Sequence, residues 1–155
     1  MKILILYDTK YGNTAELAES MKKSLSKNNV AICKSISEVS LTEIKKANLL
    51  VIGSPTHGGR PTQDMLSWIN NLPEDIFQDK KFAAFDTSIN ANDTNVFLKL
   101  LISIIGYAAP KLQAELQKKG GKSITSAVTF YVNGKEGPLK VGERERAQKW
   151  FKSLA

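Results

Sequence analysis

Three short apolar runs, each followed by a segment with helical spacing, constrain the fold of this chain more than any other feature. They are residues 3–7 (Ile-Leu-Ile-Leu-Tyr), 47–52 and 82–85. A strand with one wet face alternates apolar and polar residues, whereas a near-continuous apolar run marks a strand covered on both faces, as in a parallel sheet. Residues 30–36 and 124–132 supply two less apolar strands. Between the strands, residues 14–27 place Leu17, Ala18, Met21 and Leu25 on one helical face. Residues 61–72 start with Pro61 and continue with Met65, Leu66, Trp68 and Ile69. Residues 94–119 read as a helix broken near Gly106, restarted around Pro110 and stopped by Gly120-Gly121. Residues 142–154 close the chain with Ala147, Trp150, Phe151 and Leu154 on one face. Five strands alternating with helices predict an α/β fold in three layers, a doubly wound five-stranded parallel sheet with helices on both sides. A single domain over residues 1–155 accounts for the whole length.

Composition removes several function classes. One cysteine, Cys33, excludes an internal disulfide framework, and one cysteine with one histidine, His57, argues against a zinc cluster. The first residues are too short an apolar run for a signal peptide, and no stretch looks like an unbroken membrane span. A cytoplasmic protein is expected. The formal net charge is +7, and its distribution is uneven. Residues 1–110 are nearly balanced, whereas residues 111–155 hold ten basic and four acidic side chains. Such a face attracts an acidic protein, anionic lipid or nucleic acid. Charge alone is a weak argument for nucleic acid, and no nucleic-acid partner is expected.

In a doubly wound sheet, ligands bind beyond the carboxyl ends of the strands. After the first strand come Thr9-Lys10-Tyr11-Gly12-Asn13-Thr14, running straight into a helix. Two hydroxyls, a glycine and the open N–H groups of a helix N-terminus make a cradle for an anion. The decoy Gly121-Lys122-Ser123 is not a nucleotide-binding P-loop, because Leu116 stands where the first glycine belongs. After the third strand come Pro55-Thr56-His57-Gly58-Gly59-Arg60, with two adjacent glycines that free the backbone to approach a flat ligand. Gly53-Ser54 at the end of that strand replaces the aspartate a phosphorelay receiver would need. After the fourth strand come Asp86-Thr87-Ser88-Ile89-Asn90, a polar stretch.

With these three segments the chain resembles flavodoxins and flavodoxin-like FMN domains of the short-chain type. Residues 5–14 look like the family's phosphate loop, residues 52–59 like its second flavin loop and residues 84–88 like its third. The resemblance implies the strand order 2-1-3-4-5 and non-covalent FMN. Thr9, Lys10, Tyr11, Gly12, Asn13 and Thr14 would hold the phosphate. Pro55, Thr56, His57, Gly58 and Gly59 on one side, and Asp86, Thr87, Ser88 and Ile89 on the other, would flank the ring. By analogy, the Gly58 carbonyl would turn to accept a hydrogen bond from flavin N5 when the flavin is half-reduced. The implied function is electron transfer between redox partners, with a carrier favoured over a stand-alone enzyme. The alternative is an FMN oxidoreductase acting on a quinone or porphyrin-type substrate at a membrane surface.

Three departures stand out. No stacking tyrosine is evident in the third loop, which leaves His57 as the candidate stacking residue. The protein is basic where many flavodoxins are acidic, which points to an acidic redox partner. Residues 96–109 are apolar almost all round. This stretch is open to four readings: a buried helix end, a flap over the flavin, a dimer surface or a membrane-surface patch. Monomer and homodimer are both compatible with the sequence.

Overall fold

Apolar side chains of the strands alternate between two hydrophobic layers, and the helices divide accordingly. The computed structural model describes residues 1–25 and 29–155. The strands are β1 (Lys2–Tyr7), β2 (Val30–Ser35), β3 (Leu49–Pro55), β4 (Lys81–Ile89), β5 (Lys122–Ser123) and β6 (Val128–Val132). The helices are α1 (Asn13–Lys23), α2 (Leu41–Lys46), α3 (Gln63–Asn71), α4 (Val96–Ile105), α5 (Ala108–Lys118) and α6 (Glu143–Leu154). All pairings within the sheet are parallel, in the order β2-β1-β3-β4-β5, with β6 also on β4. Leu4, Leu6, Leu50, Ile52 and Phe82 meet α2, α3 and α5 through Ile44, Met65, Ile69, Leu112 and Leu116. Ile3, Ile5, Val51, Phe85 and Phe130 meet α1 and α6 through Leu17, Met21, Ala147 and Phe151. The expected three-layer α/β architecture and strand order are both present.

Several boundaries differ from expectation. The helix expected over 14–27 ends at Lys23, where Ser24 turns its N–H back to the Met21 and Lys22 carbonyls. Its expected last residues, 26 and 27, lie outside the described residues. The last strand, expected as 124–132, splits in two. Lys122–Ser123 pairs with Lys81–Phe82, and Val128–Val132 pairs with Phe85–Ile89. β4 is nine residues long rather than four, so both pieces find room on one edge. Helix α2 escaped the periodicity reading, being only six residues long. A capping box nevertheless marks it, the Ser40 hydroxyl accepting from the Glu43 N–H while the Glu43 carboxylate accepts from the Ser40 N–H.

The apolar stretch after β4 gives two helices. Residues 96–118 are long and apolar enough to cross a membrane by composition, which no reading of the sequence anticipated. They fold as α4 and α5, parted at Gly106 with φ 76°. Helix α5 belongs to the core through Leu112 and Leu116. Helix α4 belongs to neither layer: none of its residues is buried. Of the four readings of residues 96–109, the buried helix end holds for Ala108 and Ala109 but not for α4.

Candidate functional site

A pocket of about 240 Å³ opens at the carboxyl ends of β1, β3 and β4. Its first wall is the loop from β1 into α1. Gly12 adopts φ 89°, a left-handed conformation that only glycine reaches without strain, and turns the chain into the helix. No side chain caps α1, so its leading N–H groups face outward with the positive end of the helix dipole. The Thr9 hydroxyl accepts from the Gly12 N–H at 3.1 Å, which leaves its own proton free to donate. The Thr14 and Thr87 hydroxyls share a hydrogen bond of 2.8 Å, so one of the two also keeps a free proton. Asp8 anchors the base of the loop by accepting from the Thr9 N–H at 2.8 Å and from the Thr62 hydroxyl. Lys10 and Tyr11 stand exposed at the rim.

The second wall is a tight turn. His57 and Arg60 exchange backbone hydrogen bonds of 2.8 and 3.0 Å across Gly58 and Gly59, which have φ 54° and 71°. Both positive values are what a two-residue hairpin turn demands. Gly58 faces open space. Gly59 lines the neighbouring groove rather than this pocket, and a Cβ there would run into Ile105. His57 is half-buried and lines the pocket together with Pro55 and Thr56. Burial pushes its pKa below the usual 6.5, and the Lys10 ammonium lowers it further against the opposing pull of Asp8. The imidazole is therefore neutral at neutral pH.

The third wall corrects the sequence reading. Asp86, Thr87, Ser88 and Ile89 are the end of β4, not a loop. Thr87, Ser88 and Ile89 line the pocket, but Asp86 does not. Its carboxylate is fully buried behind the site. There it accepts from the Thr56 hydroxyl at 2.6 Å and the Ala109 N–H at 2.9 Å, while Thr56 accepts from the Ala108 N–H at 3.0 Å. Asp86 thus caps α5 from a distance and fixes the second loop. Burial pushes its pKa up, partly offset by the Thr56 hydrogen bond.

A fourth wall was missed: Val132, Gly134 and Lys135, supplied by the end of β6 and the loop beyond it. Asn13 reaches that loop by donating to the Glu136 carbonyl at 2.9 Å. The Gly134-Lys135 turn signal is visible in the sequence, but its position beside the phosphate-type loop is not. The residues present fit FMN, with an uncapped helix N-terminus and free hydroxyl protons at one end of the pocket and a backbone turn without side chains beside it.

Next to this pocket lies an apolar groove of about 160 Å³. It shares Thr56, Gly58, Ser88 and Ile89 with the pocket and is closed by α4 and Tyr107. Leu98, Leu101, Ile102 and Ile105 line the groove, and Val96, Phe97, Leu100 and Ile104 are exposed outside it.

A flavodoxin family model matches residues 5–150. A flavodoxin from Synechocystis sp. is 32% identical over 85 residues, covering 54% of this chain and 50% of that protein. The match thus spans half the length of that relative. Among solved structures, an archaeal flavodoxin superposes with a TM-score of 0.78 at 18% identity, over 100% of this chain and 96% of that one. Flavodoxin 1 of Bacillus cereus gives 0.69 at 16% identity, over 99% and 97%. At these identities the superpositions establish the fold.

Proposed function

The chain belongs to the flavodoxin family, whose cofactor is FMN, and from that premise we propose that residues 1–155 form one FMN-binding electron-carrier domain. Bound FMN supplies one-electron chemistry, and the protein supplies binding, orientation and the electrostatic setting. The observation that carries the reading is the single pocket that joins the uncapped N-terminus of α1 to the Gly58-Gly59 turn.

In this reading Thr9 and the N–H groups of residues 10, 11, 13 and 14 hold the phosphate, with the Gly12 N–H orienting the Thr9 hydroxyl. His57 and Ile89 flank the ring, with His57 neutral. Thr87 and Ser88 line the inner wall, and Val132 closes it. Gly58 gives the ring edge a backbone carbonyl rather than a side chain. Among the described residues no carboxylate lines the pocket: Asp8 is hydrogen-bonded at the base of the first loop, Asp86 is buried, Asp93 is paired with Lys140, and Lys10 and Lys135 are in the lining. This local charge favours gain of the second electron, so the second reduction potential should lie above those of acidic relatives. An acidic redox partner and a cytoplasmic setting complete the proposal.

Titrating cofactor-free protein with FMN tests it. Flavin fluorescence should be quenched at one equivalent, and riboflavin, lacking the phosphate, should bind at least about tenfold more weakly because it forgoes the charge-assisted bonds at the helix N-terminus. Failure to quench, or equal affinity for the two flavins, overturns the reading.

One observation favours the oxidoreductase alternative. Outside the groove, α4 carries four exposed apolar side chains, and the helix has one lysine and no acid, an apolar surface of the kind that enters a membrane interface. Reduction of a quinone by a nicotinamide donor, without added reductase and faster on anionic vesicles, would support an enzyme at a membrane surface. Absence of turnover leaves the carrier.

A further inference from the structure

The Gly58-Gly59 turn is fastened everywhere except at its tip. His57 and Arg60 hold its two ends together. The Gly59 carbonyl accepts from the Lys111 ammonium at 2.6 Å, and the same ammonium donates to the Ile105 carbonyl at 2.7 Å. Ile105 is the last residue of α4, and its side chain packs against Gly59. Among the described residues, neither the C=O of Gly58 nor the N–H of Gly59 has a protein partner. Only the peptide between Gly58 and Gly59 can therefore turn without breaking a bond within the protein. The next peptide is pinned to α5, a core helix.

We propose that Lys111 is a positioning residue for the cofactor pocket. Its ammonium pins the Gly59–Arg60 peptide and the end of α4, which confines movement of the turn to the Gly58–Gly59 peptide and so sets the one-electron potential of the cofactor. This rests on the FMN reading above. The bond is charge-assisted, hence stronger than one between neutral groups, and two of the three ammonium protons are already committed. A side chain of similar length without the ammonium leaves the Gly59 and Ile105 carbonyls without their donor. The turn can then tilt as a whole, and the preference between the two orientations of its tip changes.

The test compares wild type, Lys111→Met and Lys111→Arg. The first readout needs no cofactor: hydrogen exchange of the Arg60 amide, which donates across the turn. Lys111→Met should exchange about tenfold faster, the effect of losing one charge-assisted bond, and Lys111→Arg should stay near wild type. The second readout is spectroelectrochemistry of the FMN-loaded protein. The first one-electron potential should shift in Lys111→Met and return towards wild type in Lys111→Arg, with FMN affinity changed less than about threefold. A lysine that only supports the end of α4 would move neither readout. Unchanged Arg60 exchange, or an unchanged potential with FMN bound, overturns the proposal. Should Lys111→Met fail to fold, Lys111→Gln is judged by the same two readouts. Failure of all forms, wild type included, to bind FMN removes the electron-carrier reading and the cofactor half of this proposal, whereas the exchange rates still decide whether Lys111 pins the turn.

Discussion

Two glycines near strand ends show how different one residue type can be. Gly53 sits in β3 with the Phe85 ring over its Cα, where a methyl group would collide with the ring. Gly53→Ala should cost about 3 kcal/mol or more through overpacking of a core that also holds Phe130 and Trp150. Gly12 faces open space at φ 89°, so Gly12→Ala should cost only the strain of that conformation, about 1–2 kcal/mol. Urea denaturation of both variants measures the difference. His57 makes a pH prediction. Its folded pKa lies below 6.5 because of burial and Lys10, so the unfolded chain takes up the proton first. Stability falls as pH drops through about 6.5 towards the folded value, and His57→Gln removes that slope in melts at pH 7.5 and 5.5. The histidine and the glycines were all visible in the sequence. What was not visible is that Asp86 faces inward. Its position in the third flavin-type segment suggested the pocket, but its carboxylate serves an N–H donor 23 positions away.

Among the elements, three lysines share one task. Lys80 donates to the Lys45 and Ala47 carbonyls at the end of α2, Lys111 to Ile105 at the end of α4, and Lys119 to Asn70 and Leu72 at the end of α3. Each ammonium meets the negative end of another helix. Lys119→Met should lower stability by about 1 kcal/mol, from the lost bonds to exposed carbonyls, and thermal melting checks it. Element types were largely legible because an apolar run and a helical period are local properties. Element ends were less so. β4 runs on through Asp86-Thr87-Ser88, three polar residues that read as a loop, because β3 and β6 supply hydrogen-bonding partners on both sides. The short α2 has too few turns to establish a period, although Ser40 and Glu43 spell its start.

Across the whole molecule, the net charge of +7 keeps its meaning. In the basic last third, Lys118, Lys122, Lys140, Arg144 and Arg146 are in ion pairs, and Lys111 and Lys119 hold carbonyls. These side chains make contacts within the fold, while the acids they pair with are already counted in the net charge, so the +7 remains for an acidic partner to meet. The apolar feature that points outward is α4, with Val96, Phe97 and Ile104 at 86%, 76% and 74% exposure. The combined variant Phe97→Ser, Leu100→Ser and Ile104→Ser should leave thermal stability within about 0.5 kcal/mol per site, as expected for exposed positions. It should abolish any cosedimentation with anionic vesicles. The sequence by itself determined the β-α alternation, the parallel sheet and the two loops after β1 and β3, because these follow from apolar period and turn chemistry along neighbouring residues. Only the tertiary structure decided that Lys135 joins the pocket, that Asp86 leaves it, that Lys111 pins the turn and that α4 stays outside both cores. Each of those depends on which distant segment lies opposite, and hydrophobic burial, being non-directional, does not inscribe that in any local pattern.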